Sequence, residues 1–234
     1  MKISVIVPSY VRDDTEKELL ERCIKSIDKR FDIQLVSDTF PFGVSWARNA
    51  GLEIAFKGNP DYITFLDADD TMNADAWEQM TMAIAEEPDE PVIQLNHMRK
   101  KEGVTYCRFF NRRGTYYPKN MPQFWVGVWN KVFKAEFLKD IRFIEGLQHG
   151  EDELFVLDCL AKSKRIYCSE RIAMTHHFDN QASLSHNVNA QDLIAEQKAL
   201  LNFLEKHQND KDLCDAVRIR QAELWNNPAY KSIF

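Results

Sequence analysis

Tyr62-Ile-Thr-Phe-Leu-Asp-Ala-Asp-Asp70 sets five apolar, aromatic or β-branched residues directly ahead of three carboxylates. Tyr62 to Leu66 reads as a buried strand, because such side chains fill a pleated interior surface. Unpaired charge in line with that run would be costly to bury, so Asp67, Asp69 and Asp70 are expected just past the strand's C-terminal edge. Open α/β sheets bind ligands at that edge. Carboxylates so close together repel unless a cation or several donors hold them, and hard oxygens suit Mg2+ or Mn2+. Strand, Asp-x-Asp, then helix is a metal-and-phosphate signature.

Other readings of the same acids stay open at this level. They can cap the helix expected from about residue 74, with Asn73 as N-cap, or form a solvated acidic turn. An EF-hand is excluded. Asp67, Asp69 and Glu78 take loop positions one, three and twelve, but Thr71 and Met72 stand where a ligand and a glycine are needed, and a strand precedes the loop.

The remaining chain has the size and composition for one α/β domain with an appended piece. It has 234 residues, 44% hydrophobic, enough for a full core. A formal charge of −6 argues mildly against a dedicated nucleic-acid binder. The five cysteines, Cys23, Cys107, Cys159, Cys168 and Cys214, form no Cys-x-x-Cys pair, which fits a reducing compartment and offers no zinc motif. The opening run from Ile3 to Val7 stops at Pro8 and is too short for a signal peptide or membrane span, so a soluble, cytoplasmic protein is expected.

Lys2 to Val7 reads as a first strand, closed by Pro8-Ser-Tyr10. Thr15 and Glu18 have capping-box spacing before a helix that carries Leu19, Leu20, Cys23, Ile24 and Ile27 on one face. Ile33 to Val36 is a second strand ending at Ser37-Asp38, followed by a Pro41-Phe-Gly43 loop and a helix with Ser45 as cap. After the Tyr62 strand come an amphipathic helix to Glu86 and a Val92 to Leu95 strand. The β-α-β order implies a doubly wound, mostly parallel sheet with right-handed crossovers.

From His97 to Lys119 the residues turn basic and aromatic, bounded by Gly103 and Gly114, and read as a hairpin. Seven Lys or Arg, including Arg112 and Arg113, face one acid, Glu102, with Tyr106, Phe109, Phe110, Tyr116 and Tyr117 between them. Such a segment is either an amphipathic hairpin with a solvated basic face or a platform for an anionic or sugar-ring acceptor. Phe124 to Phe133 is again aromatic, with Trp125 and Trp129, and a short helix is expected from Ala135 to Lys139. His149-Gly-Glu-Asp-Glu-Leu-Phe155 opens a helix with acids at its positive end. Ile166 to Cys168 is a late strand, followed by Thr175-His-His-Phe178 and a loop through Ser183-Leu-Ser185. Two amphipathic helices close the chain between Ala190 and Trp225.

Five segments together resemble the family 2 glycosyltransferases of the GT-A fold, over roughly residues 2–186. They are Ile3-Ser-Val-Ile-Val-Pro-Ser-Tyr10, Ala47-Arg-Asn-Ala-Gly-Leu52, Phe65-Leu-Asp-Ala-Asp-Asp70, Val128-Trp-Asn-Lys131 and Gly150-Glu-Asp-Glu-Leu-Phe155. Each is weak alone, and their order and spacing make the signal. The resemblance implies a GT-A-like doubly wound sheet with a small β-hairpin acceptor region. Residues 1–188 would be the transferase domain, with 1–96 for the nucleotide sugar and 97–188 for acceptor and catalysis. Residues 189–234 would be a helical extension.

It also implies inverting transfer of a sugar from a nucleotide-diphosphate donor to a hydroxyl, with Mn2+ or Mg2+ at the diphosphate. Asp69 then matches the main metal ligand and Asp67 lies nearer the ribose and metal waters. Asp152, second acid of Glu151-Asp152, matches the catalytic base, kept ionised by the helix terminus. Pro8 and Tyr10 fall at the nucleobase pocket, and Arg48 near the nucleotide, where a salt bridge to a strand-end Asp is its structural alternative. His177 or His176 falls where a third metal ligand or diphosphate contact can arise; a packed core histidine is the alternative. Trp129, Arg112 and Arg113 are acceptor candidates.

The chain departs from the family's Asp-Asp-Gly-Ser at its second strand. Val36-Ser-Asp-Thr-Phe-Pro-Phe42 keeps Asp38 to accept from a pyrimidine imide but lacks the Gly-Ser turn. Tyr10-Val-Arg12 replaces Tyr-Asn, placing Arg12 toward the donor. A UDP-sugar is the expected donor and a glycan hydroxyl the expected acceptor, with a hydroxylated base in DNA as the alternative. Two further readings are a nucleotidyltransferase, which would need a Gly-rich basic loop where Pro8-Ser-Tyr10 stands, and a non-catalytic sugar-binding module. The closing helices could also form a homodimer surface.

Overall fold

The computed structural model describes residues 1–40, 42–108, 112–120, 126–178 and 188–226. Phe109, Phe110, Phe124, Trp125, Pro41 and the 183–185 loop lie outside the described residues, as does the side chain of Trp225.

Strands β1 (Ile3–Ser9), β2 (Asp32–Ser37) and β3 (Tyr62–Phe65) are parallel, with β1 in the middle. The long strands β5 (Val92–Lys101) and β9 (Ile166–His177) also pair in parallel. Between these blocks lies β8 (Lys131–Lys134), antiparallel to both β3 and β5. The two-residue β4 (Thr71–Met72) completes the order β2-β1-β3-β8-β5-β9-β4, antiparallel to β9. Five of those seven strands point one way, giving the mostly parallel doubly wound sheet that the alternating pattern implies. The Val92 strand does not lie beside the Tyr62 strand, because a segment from much later in the chain is inserted between them. Sequence order alone carries no such information.

Helices cover both faces. Helix α2 (Val44–Lys57), α4 (Glu151–Ser163), α5 (Ala190–Lys206) and α6 (Lys211–Asn226) share one core with Ile63, Phe65 and Phe133. Helix α1 (Asp14–Ser26) and α3 (Ala76–Glu86) pack on the other face against Val5, Tyr62, Leu66 and Leu95. Alternate residues of β3 feed opposite cores, as the strand's period of two requires. Phe65 meets Phe133, Phe143 and Phe155 edge-on at 5.3–6.0 Å; each such pair adds about 0.5–1.5 kcal/mol beyond area burial. Leu200, Phe203, Leu213 and Val217 of the closing helices belong to this same core.

The caps differ from the expected ones. Asp13 caps α1, accepting from Glu16 N, so Thr15 lies inside the helix. Helix α2 starts at Gly43 without a side-chain cap, and Ser45 is buried. Helix α3 follows Asp75, again without a side-chain cap, while Asn73 binds β9 through Thr175 Oγ1 and Ala173 O. Residues Ala135 to Lys139 form turns. For Asn73 a tertiary partner in β9 outcompetes the local capping signal. The basic hairpin is present as β5 and β6 (Val104–Arg108). The short β7 (Gly114–Tyr116) leaves it to pair with β9.

Candidate active site

The C-terminal ends of β1, β2 and β3 meet at one edge. Pro8 is buried in β1, and Tyr10 emerges half-exposed beyond it. Asp38 follows β2, its backbone N–H donating to Ser9 O at 2.8 Å. The Asp38 side chain is buried, and Oδ2 accepts from Gly43 N at 2.9 Å. Its Oδ1 has no hydrogen-bond partner among the described residues. Gly43 has φ of 97°, a left-handed value that glycine adopts without Cβ strain. The acid kept where the family's Gly-Ser turn is missing thus fastens the start of α2.

Arg48 of α2 is the hub. Only 3% exposed, it donates from Nη2 to Asp67 Oδ1 at 2.9 Å, and from Nη1 to Glu151 Oε1 at 3.0 Å and Asp152 Oδ1 at 2.6 Å. Its guanidinium also lies 5.3 Å from the Phe143 ring centroid. One cation thus joins the Asp-x-Asp turn to the first turn of α4, so the expected strand-end salt bridge exists and extends to both acids of α4. Burial opposes the charge of Arg48, but Asp152, Asp67 and Glu151 raise its pKa above the ordinary arginine value. Three carboxylates around one guanidinium leave an excess of negative charge, which favours a proton or a further cation.

Asp152 is held with a raised affinity for a proton. Burial, with Glu151 and Asp67 adding to it and Arg48 opposing, pushes its carboxyl up to about 7. This reverses the expectation that the helix terminus holds it low: the positive end of α4 is a fractional charge, whereas burial and two like charges act directly on the group. Asp152 Oδ2 accepts from Val128 N at 3.2 Å, so both oxygens are fixed.

Asp70 is the residue that sequence reasoning undervalued. It is wholly buried, and its carboxylate accepts from His177 N at 2.9 Å and lies 2.9 Å from His176 Nδ1. His176 stacks on Trp129 at 4.9 Å. His177 Nε2 lies 2.9 Å from Thr71 Oγ1. The third acid of the cluster therefore binds the end of β9 to the turn, and both histidines are committed to that joint. Thr175-His-His being strand, not loop, was the missing signal. From the other side, Arg22 donates to Asp69 O, and Ser26 Oγ accepts from Met72 N at 3.0 Å.

Several candidates lie elsewhere than expected. Trp129 is only 4% exposed, between His97 and His176, so it packs instead of presenting a stacking face. Arg113 donates to Tyr167 Oη at 2.8 Å and sits 3.7 Å from Glu86, while Arg112 is exposed. Arg12 pairs with Glu16 at the start of α1, with Nε 2.8 Å from Oε1. His177 is not brought into a ligand cluster: among the described residues no group of three or more His, Cys, Asp or Glu is placed to hold a metal. The donor chemistry still suits a divalent ion. Asp67 and Asp69 offer hard oxygens on a partly exposed turn, and Mg2+ commonly takes one or two carboxylates, with substrate phosphates and water completing the shell.

Fold and site define an α/β protein that gathers carboxylates around a buried arginine at the C-terminal edge of a mostly parallel sheet. The chain belongs to the family 2 glycosyltransferases: the model of the family, Glycosyl transferase family 2, matches residues 13–135. It is 27% identical over 192 residues to Glycosyltransferase GlyA of Streptococcus pneumoniae serotype 4 (strain ATCC BAA-334 / TIGR4), a match covering 64% of this chain and 27% of that protein. The chain thus spans about a quarter of that relative's length. Among solved structures, S. aureus TarS 1-349 in complex with UDP-GlcNAc superposes with a TM-score of 0.70 at 17% identity, over 93% of this chain and 72% of that one. The complex of the same protein with UDP gives 0.69 at 17% identity, over 93% and 71%. At this identity the likeness establishes the fold. No described helix is long and apolar enough to cross a membrane.

Proposed function

We propose that the chain is an inverting, metal-dependent glycosyltransferase that moves a sugar from a UDP-sugar to a hydroxyl of a glycan. The observation that carries this reading is the Arg48 bridge, which sets Asp152 beside Asp67 of the Asp-x-Asp turn. A base and a diphosphate-binding turn must be neighbours for in-line displacement. Asp38 supports a pyrimidine donor, because its buried Oδ1 is an acceptor with no partner among the described residues, suited to the N3–H of uracil. The complexes of TarS with UDP-GlcNAc and UDP support the same donor class.

In this reading Asp152 takes the proton of the acceptor hydroxyl as its oxygen attacks the anomeric carbon. The bond from that carbon to the β-phosphate oxygen breaks on the opposite face, and the configuration inverts. Asp69 and Asp67 would hold the divalent ion, which supplies charge neutralisation at the departing UDP. Arg48 holds Asp67, Glu151 and Asp152 in register and keeps the site from collapsing through repulsion. Residues 1–96 serve the donor and 97–188 the acceptor, with the closing helices bracing both.

Calorimetric titration with UDP, with and without Mn2+, tests the donor half in the unmodified protein and in Asp69→Ala. Binding that needs both metal and Asp69 supports the reading, and a panel of UDP-sugars with an Asp152→Asn control follows. Binding of GDP or CDP in place of UDP would reassign the base specificity of Asp38. No nucleotide binding under any metal would sink the proposal.

A further inference from the structure

The Val128-Trp-Asn-Lys131 segment, whose first N–H fixes Asp152, also carries a lysine whose side chain is wholly buried and has no task in the roles above. Lys131 Nζ donates to Gly127 O at 2.7 Å and to Asn130 Oδ1 at 3.1 Å. Asn130 is fixed in turn, with Nδ2 donating to Leu95 O at 3.1 Å and its carbonyl accepting from Leu95 N at 2.8 Å. The Gly127 carbonyl belongs to the same planar peptide group as the Val128 N–H, which donates to Asp152 Oδ2 at 3.2 Å. One rigid peptide therefore stands between an ammonium and the carboxylate. A cation on its oxygen polarises the group and strengthens its N–H as a donor.

Resting on the reading of Asp152 as the base, we infer that Lys131 is a positioning residue. Through the Gly127–Val128 peptide it aims the Asp152 carboxylate and supports its charge. An ammonium is costly to bury, whereas Met or Leu would fill the same volume, so packing alone gives no reason for the charge. Burial pulls Lys131 down to about 7, while Cys168 and Asp152 favour its charged form. Among the described residues, the groups facing Asp152 are Arg48 from α2, Glu151 from its own helix, Asp67 beyond β3 and the Val128 N–H.

The test uses the full chain, with release of UDP from a panel of UDP-hexoses and UDP-N-acetylhexosamines and water as acceptor. Lys131→Met is expected to keep its UDP affinity within about twofold and lose kcat by on the order of tenfold to a hundredfold, the cost of a misplaced group. In an Asp152→Asn background the same substitution should change kcat no further. Wild-type kcat in Lys131→Met overturns the inference. An unmodified protein that neither binds UDP nor turns over overturns the functional reading itself. A readout free of substrate separates the two: the Asp152 carboxyl, followed by 13C NMR in the free protein, should titrate at higher pH in Lys131→Met, and an unchanged midpoint rejects the relay. Should that variant fail to fold, the Val128 amide and Lys131 Nζ resonances of the unmodified protein must shift at the Asp152 midpoint and lose that step in Asp152→Asn. Their silence is equally fatal.

Discussion

Arg48 Nη1 lies 2.6 Å from Asp152 Oδ1, joining two residues 104 positions apart across the C-terminal edge of the sheet. The guanidinium that makes this contact also bonds Glu151 and Asp67. Arg48→Met should therefore leave three crowded acids without their cation. The expected cost is about 3–5 kcal/mol, the range for breaking a buried pair from one side. Urea denaturation at pH 7 measures it. The loss should shrink at pH 5, where the acids can take up protons.

Asp152→Asn keeps the shape of the side chain and removes its basicity. Transfer should fall by a factor of about 10²–10⁴, the usual contribution of a positioned general base, with UDP affinity retained. Lost UDP affinity would mean that Asp152 serves the donor and not the acceptor.

The raised carboxyl of Asp152 also sets a pH dependence with a definite sign. Its folded value of about 7 lies above the unfolded one, so the folded state holds the extra proton between about pH 4 and 7. This group therefore contributes stability at low pH that is lost as pH rises toward 7. Thermal melts across that window should show a shallower decline in Asp152→Asn. The rate of transfer should move the opposite way, climbing as Asp152 ionises through the same range.

Asp69 and Asp70 are neighbours with different work. Asp70→Ala removes the acceptor of His177 N and the partner of His176, and should cost about 1–3 kcal/mol for the buried N–H left behind. Asp69→Ala sits on a partly exposed turn and should change stability by less than about 0.5 kcal/mol while abolishing metal-dependent UDP binding. Denaturation and calorimetry on the two variants separate these roles.

Gly150 precedes α4 with φ of 78°, and a Cβ there would lie 2.6 Å from Glu196 Cγ of α5. Glu196 is itself held at 2.9 Å by His149 Nδ1. Gly150→Ala should destabilise by about 1–3 kcal/mol through backbone strain and overpacking. Adding Glu196→Ala should relieve the overpacking but not the strain, so a melt of the double variant should recover only part of the loss.

Much of this protein is decided locally. Apolar runs ending in acids or in proline mark β1 and β3, and helical periodicity marks α1 and α3 to α6, because those signals rest on side-chain spacing along one segment. The carboxylates of the site were visible for the same reason, since charge cannot continue inside a buried strand. What the sequence could not specify was which distant groups meet. That β8 enters between β3 and β5, that Arg48 serves three acids, that Asp70 anchors β9 and that Trp129 is buried all depend on contacts between segments far apart in the chain. The protonation of Asp152 belongs to the same class. A helix terminus argues for a low pKa from local sequence, but burial and the approach of Asp67 and Glu151 set it higher, and both exist only once the chain has folded.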